Sequence, residues 1–386
     1  MGEPATRPPH ALETRWQIAR RAVLLLVLLY VFLMGVNGLG GGLRLLGGGL
    51  LDSFFHATSN PFLGLIVGIL GTSLVQSSSV TTSLIVGMVA APENALPLAN
   101  AVPMIMGANI GTTVTNTMVS LAHMRQREEF RRAFAVATCH DFFNFLAVVL
   151  LLPLELAFGF LQHSAEAVAG LFAGAGGWAY HSPIERAVRA GVEPVQAALS
   201  LLSGSRQVQA VLLVVSSAAM IYAALVLIVR NMRRLLRRQV EGAVQGALGG
   251  SPLVSMLVGL GVTVMVQSSS IATSLLVPLG AAGVISLAQA FPATIGANIG
   301  TTVTALIAAL AVSGPRAQEG VTIALVHLLF NLAGAVLIYP LKPVRNIPLF
   351  FAKRLAEVAA RSRLAALAYV VGAFYLLPGI LAWLNR

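Results

Sequence analysis

The chain has 386 residues, of which 57% are hydrophobic and only 10% charged, with a formal net charge of +11. A charged share so far below the ~25% of soluble domains excludes a soluble globular protein and makes the lipid bilayer the natural solvent. The Lys and Arg residues lie in short segments beside apolar stretches, so they report membrane orientation and give no sign of nucleic-acid binding.

In chain order, residues 1–21 form a basic segment with Arg7, Arg15, Arg20 and Arg21, followed by an apolar span over 22–40. It lacks a cleavage pattern after a short apolar core and reads as an anchor. Residues 61–92 are too long for one straight crossing and carry a polar cluster at their centre; spans over 97–122 and 133–161 complete a first unit, 22–161. A connection over 162–207 is expected as a loop outside the cytoplasm. A second unit, 208–341, holds a span at 208–229, an interrupted segment at 251–282, and spans at 286–312 and 320–341. Residues 342–386 comprise a basic segment and a last span at 364–384. With ~20 residues needed per crossing, about seven straight crossings are expected.

The two units are related. Gln76-Ser77-Ser78-Ser79 recurs as Gln267-Ser268-Ser269-Ser270, and GANIGTTVT at Gly107–Thr115 recurs unchanged at Gly296–Thr304. His140, Asn144 and Pro153 are echoed by His327, Asn331 and Pro340, so the order is kept throughout. Equivalent loops differ in basic charge: 123–132 carries Arg125, Arg127, Arg131 and Arg132, whereas 313–319 carries only Arg316. Parallel copies would match, so the units are inverted. The positive-inside rule holds throughout when the N-terminus and the arginine-rich 230–249 segment are cytoplasmic. The fold class is therefore an all-α polytopic membrane protein of two inverted repeats, an architecture typical of secondary transporters.

From Thr72 to Ser83, nine of twelve residues are Ser, Thr or Gln. Lipid cannot solvate them, so the cluster must face protein, water or a ligand. A re-entrant helical hairpin is expected at 61–92 with its turn at Gln76–Ser79, and another at 251–282 with its turn at Gln267–Ser270. At such a tip the returning helix offers N–H groups to an anion such as phosphate, while the entering helix offers carbonyl oxygens that suit Na+. The GANIGTT stretches are expected as breaks in adjacent helices, with Gly107, Gly111, Gly296 and Gly300 permitting unwound backbone and close approach. Asn109, Thr112, Thr113, Asn298, Thr301, Thr302 and Thr304 would then supply oxygens opposite the tips. Gly64 and Gly68 read as helix packing. No charged residue lies between Pro61 and Pro92 or between Ser251 and Pro315, so co-bound cations must compensate a bound anion. Asp141, an acid within an apolar span, either binds an ion or pairs in a salt bridge. His140, His327 and Cys139 read as core residues. GANIGTT lacks the Lys of a nucleotide-binding loop, and no catalytic triad order or metal-ligand spacing appears, so an enzyme is not expected.

The segments VQSSSVTTSL, MGANIGTTVTNT, FRRAFAVATCHDFFNFLAVVLLLPLE, VQSSSIATSL and IGANIGTTVTALIAAL resemble the type II sodium-dependent phosphate cotransporter family over about residues 22–380. The resemblance implies that the two tips, Gln76–Ser79 and Gln267–Ser270, form the sodium and phosphate sites. It also implies that Thr301 and Thr304 fall at sodium ligands and that Asn144 occupies a position linked to an ion site. Asp141 stands in the His-Asp pair of electrogenic members, where electroneutral members carry Gly. The function so implied is symport of inorganic phosphate with Na+ as coupling ion and no organic cofactor. An ion channel, or a Na+-coupled carrier of another small anion, is the alternative. The lone cysteine and the absence of glycosylation sequons point to a bacterial member in a bacterial inner membrane.

Overall fold

The structure, a computed structural model, describes residues 15–46, 58–93, 95–174, 185–202, 204–247, 251–312 and 315–384. Arg7, most of the 1–21 segment and the middle of the 162–207 connection lie outside the described residues.

Helix α1 (Arg15–Leu46) leads to the first hairpin. Its entering arm, α2 (Pro61–Val75), starts where Asn60 accepts from the amides of Phe62 and Leu63, with Pro61 in the first turn, where its missing N–H costs nothing. The returning arm is α3 (Ser78–Val89). Then follow α4 (Leu98–Thr112), α5 (Val114–Ser120), the long α6 (Arg127–Phe158) and α7 (Phe160–Gly174), with α8 (Glu185–Leu202) closing the first half. The second half repeats the plan inverted. Helix α9 (Arg206–Ala247) packs along α1, and Ser251 caps the entering arm α10 (Pro252–Val266) as Asn60 caps α2. The returning arm is divided into α11 (Ser269–Ser274) and α12 (Leu276–Ala281), because Pro278 has no N–H to give the carbonyl of Ser274. Helices α13 (Leu287–Ala309), α14 (Ala317–Ile338) and α15 (Lys342–Arg361) complete the repeat, and a last crossing comprises α16 (Arg363–Val371), a π-helical turn (Gly372–Leu376) and α17 (Leu377–Leu384).

Among the described residues six helices are long and apolar enough to cross a membrane: 19–43, 127–158, 206–231, 287–309, 317–338 and 363–384. The chain is thus an all-α polytopic bundle with two re-entrant-like hairpins. Its halves exchange parts: α7 packs on α14, α15 on α6, and the returning arm α3 lies on α13. Each half therefore leans on elements of the other, and the site region forms at their junction.

Three expectations are corrected. The 97–122 stretch is no straight crossing but two helices meeting at Thr113, within the first GANIGTT where a break was expected, and the Thr113 amide bonds only three residues back, to Ile110 at 3.2 Å. The second GANIGTT runs unbroken through α13, although the hydroxyl of Thr302, the counterpart of Thr113, bonds three residues back, to Ile299 at 2.8 Å, as that of Thr113 does to Ile110. The expected loop 162–207 is helical in α7 and α8, and the basic 342–363 segment is the helix α15. Both are amphipathic, with Leu161, Ala165, Val188, Val192, Ala352 and Ala356 buried, a pattern that a search for continuous apolar runs passes over.

The glycines act by close approach. A Cβ on Gly107 would collide with the carbonyl oxygen of Leu65, and one on Gly296 with that of Met256; the facing Gly68 and Gly259 meet Met104 and Ala293 in the same way. Entering arm and neighbouring helix thus lie backbone to backbone in both halves.

Candidate functional site

Each hairpin turns at a glutamine in the left-handed region: Gln76 at φ 56° and ψ 29°, Gln267 at φ 58° and ψ 28°. Among the described residues these are the only non-glycine residues with positive φ. That conformation costs a side-chain-bearing residue roughly 1 kcal/mol or more, and glycine would avoid the cost. The amide side chain at this position is the feature retained despite the strain. The Gln76 and Gln267 amides each bond 2.7 Å back, to the carbonyls of Thr72 and Thr263. The next serine is extended and caps the returning arm: Ser77 Oγ accepts from the Val80 amide at 3.3 Å, and Ser268 Oγ from the Ile271 amide at 3.4 Å.

Beyond these caps the tips differ. Thr304 donates to Gln267 Oε1 at 3.0 Å and lies 3.4 Å from Ser79 Oγ, so a chain of hydroxyls links the second tip to the first. Gln76 is exposed and reaches only the Met118 sulfur, 3.5 Å away. Thr115, the repeat counterpart of Thr304, has a buried hydroxyl without a partner. The buried hydroxyls of Thr72, Ser73 and Thr263, all on the entering arms near the turns, also lack partners. Ser78, Ser79 and Ser269 are buried, and Ser270 is half-buried. Thr273 and Ser274 on the second returning arm donate to Asn116 Oδ1 at 2.9 and 3.2 Å, joining that arm to α5.

Asp141 is fully buried on α6. Its Oδ2 accepts from Tyr369 Oη at 2.8 Å and Thr117 Oγ1 at 3.3 Å, while Oδ1 has no partner. Among the described residues no ion pair includes it. A buried carboxylate without a cation is costly, and the unpartnered Oδ1 is a ready cation ligand.

The structure does not bring every expected residue to the tips. Asn109, Asn144, Asn298 and Asn331 form one buried cluster between the halves. Asn298 donates to Asn144 Oδ1 at 2.8 Å and Asn331 Oδ1 at 2.6 Å; Asn331 donates to Asn109 Oδ1 at 3.1 Å, and Asn144 to the Asn109 carbonyl at 2.8 Å. His327 Nε2 lies 3.3 Å from Asn109 Oδ1. Buried amides paired in this way hold elements in one arrangement. Thr112, Thr113, Thr301 and Thr302 are buried and bond back to their own helices. Residues absent from the sequence reading are Thr115, Asn116, Thr117 and Tyr369. Thr115 was legible, since it ends the nine-residue repeat opposite Thr304; Tyr369 carried no signal, being 228 positions from its partner.

The sequence profile of the family described as Na+/Pi-cotransporter matches residues 31–174 and 220–352, one stretch in each half. Sodium-dependent phosphate transport protein 2A of Ovis aries is 34% identical over 94% of the chain and 67% of its own length. The protein of the same name from Mus musculus is 35% identical over 92% and 66%. Sodium-dependent phosphate transport protein 2B of Bos taurus is 34% identical over 92% and 64%. The chain thus spans about two thirds of the length of the curated relatives it matches. No solved structure matches it. These relatives are mammalian, which overturns the expectation of a bacterial member in a bacterial inner membrane; integral membrane placement stands on the apolar helices.

Proposed function

The chain belongs to the Na+/Pi-cotransporter family, and from that premise we propose that it is a secondary active transporter importing inorganic phosphate together with sodium ions, electrogenically. Supporting this reading above all is the pair of left-handed glutamine tips, which place uncharged oxygens of Gln76–Ser79 and Gln267–Ser270 at the junction of two inverted repeats. Phosphate is held by the start of the first returning arm, where the Ser78 and Ser79 amides open the first turn of α3 behind its Ser77 cap. Sodium takes hydroxyl and carbonyl oxygens: those of Gln267, Ser268 and Thr304 at the second tip, of Gln76 and Ser77 at the first, and of Thr112, Thr113, Thr301 and Thr302 on the adjacent helices. The unpartnered hydroxyls of Thr72, Thr115 and Thr263 favour such a ligand, because each buried hydroxyl left unpaired costs about 1–3 kcal/mol.

With no fixed cation on either hairpin, the anion is weakly held until sodium occupies the neighbouring oxygens, and each ligand raises the affinity for the other. Asp141 holds a further cation through Oδ1, giving divalent phosphate three sodium ions and the cycle one net positive charge. The asparagine cluster, Asn109 and Asn298 included, joins the halves so that their movements are coupled.

The test is labelled phosphate uptake by the purified chain in proteoliposomes, with an inward gradient of sodium or of potassium. Uptake is expected with sodium and much reduced with potassium, since an oxygen cage discriminates by size and field strength. Equal rates in the two salts overturn sodium coupling.

A further inference from the structure

The last crossing, residues 363–384, belongs to neither repeat and lies beyond residue 352, where the family match ends. It nevertheless reaches two elements of the site. Tyr369 donates to Asp141 Oδ2 at 2.8 Å, and Tyr375 donates to the Ser73 carbonyl at 3.0 Å, on the arm that ends at Gln76. After Tyr369 the helix makes a π turn, Gly372–Leu376, which contains Tyr375. Such a turn inserts one residue and shifts the helix faces on either side of it, and it recurs at functional positions.

The Tyr369 ring is held on three sides. Phe134 meets it edge-on with centroids 6.2 Å apart, Phe142 stacks at 6.4 Å, and Phe374 lies edge-on at 6.0 Å. The hydroxyl is therefore aimed by packing and not by the carboxylate alone. Tyr369 and Thr117 donate to the same oxygen of Asp141, which anchors Oδ2 and leaves Oδ1 without a partner.

We propose that the C-terminal helix is a brace for the cation site. Tyr369 is a positioning residue that presents Asp141 Oδ1 to a sodium ion, and Tyr375 ties that presentation to the first hairpin through Ser73. The brace rests on the assignment of Asp141 as a cation ligand. A cation drawn to Oδ1 and a shift of the first tip are then felt by the same helix, which gives one path for the reciprocal coupling of sodium and phosphate.

The test uses the full chain in proteoliposomes, with sodium and phosphate titrated separately. Tyr369→Phe keeps the ring and removes one donor to a charged group, so half-saturation by sodium is expected to rise about tenfold, well beyond any change in the phosphate KM at saturating sodium. Tyr375→Phe is expected to shift the same parameter in the same direction. The double variant Asp141→Asn/Tyr369→Phe is expected to be no worse than Asp141→Asn alone, whereas a tyrosine with a merely structural role adds its own loss. Where Tyr369→Phe does not insert, Thr117→Val removes the other donor from the same oxygen and reads the same parameter. The brace is overturned when Asp141→Asn alters sodium dependence but Tyr369→Phe does not, or when the two losses add; the Asp141 assignment then stands. A shift with Tyr369→Phe but none with Tyr375→Phe overturns the link to the hairpin. Unchanged sodium dependence in Asp141→Asn overturns the cation assignment itself, and the brace with it.

Discussion

Thr304 donates its hydroxyl to Oε1 of Gln267 across 3.0 Å, and the equivalent contact between Thr115 and Gln76 is not made. Two segments of identical sequence thus stand in unlike states, the second tip closed on its threonine and the first open. In a carrier built of inverted repeats the halves exchange environments during the cycle, so the open pair in one state is the closed pair in the other. Thr304→Val and Thr115→Val are therefore both expected to lower sodium-driven phosphate uptake, by roughly tenfold for the loss of one buried hydrogen bond. Normal uptake with Thr115→Val beside a large loss with Thr304→Val would show that the asymmetry is permanent.

The glutamines at the turns separate function from stability. Gln76→Gly and Gln267→Gly remove the amide and also relieve the left-handed strain; Gln76→Gly is expected to melt at or slightly above the parent temperature, a gain of up to ~1 kcal/mol, and Gln267→Gly, which also loses the bonds to Thr304 and Val264, at or slightly below it. Uptake is expected to be abolished or strongly reduced in both, as in Gln76→Ala and Gln267→Ala. Thermal melting in detergent and uptake by the same preparations check the two halves of this expectation. Near-normal uptake in all four variants removes the tips from the site.

With Asp141 holding the third sodium ion, as proposed, this carboxylate sets the voltage dependence. One net charge moved inward per cycle couples to the membrane potential at ~2.3 kcal/mol per 100 mV. Asp141→Gly is expected to retain uptake at reduced affinity and to lose its response to voltage. Vesicles under a potassium diffusion potential, inside negative and set with valinomycin, provide the measurement. A mutant that responds as strongly as the parent returns Asp141 to a structural role.

Close packing of each entering arm on its neighbour predicts that Gly107→Ala and Gly296→Ala destabilise the fold, because the new methyl meets backbone oxygens of Leu65 and Met256 that cannot rotate away. The expected cost is about 1–3 kcal/mol each, read as a fall in melting temperature. Gly261, on the same arm as Gly259 but with nothing within 4 Å of an added Cβ, is the control. Gly261→Ala is expected to be neutral or mildly stabilising.

The sequence by itself determined the membrane class, the duplication with its inversion, and the two hairpins with their turns at Gln76 and Gln267. These follow from local rules: hydrocarbon forces backbone groups into helices, and polar residues inside an apolar stretch force a turn away from lipid. The glycines of the repeated GANIGTT were legible as important but not in their role, since unwinding and close approach use the same residue type, and only the neighbouring carbonyls of Leu65 and Met256 decide between them. Asn109 and Asn298 were legible as oxygen donors opposite the tips, as for a phosphate, yet their side chains bond Asn144 and Asn331 on other helices. The same holds for Tyr369 and Asp141, joined by the docking of the last helix on α6 across 228 positions of chain. Hydrogen bonds at such separations leave no periodicity for a sequence to display; they exist only because tertiary packing brings the groups within hydrogen-bonding distance. Tertiary structure alone also decided which of the two equivalent threonines, Thr115 or Thr304, is bonded, because identical local sequence cannot encode a difference imposed by what packs around each copy.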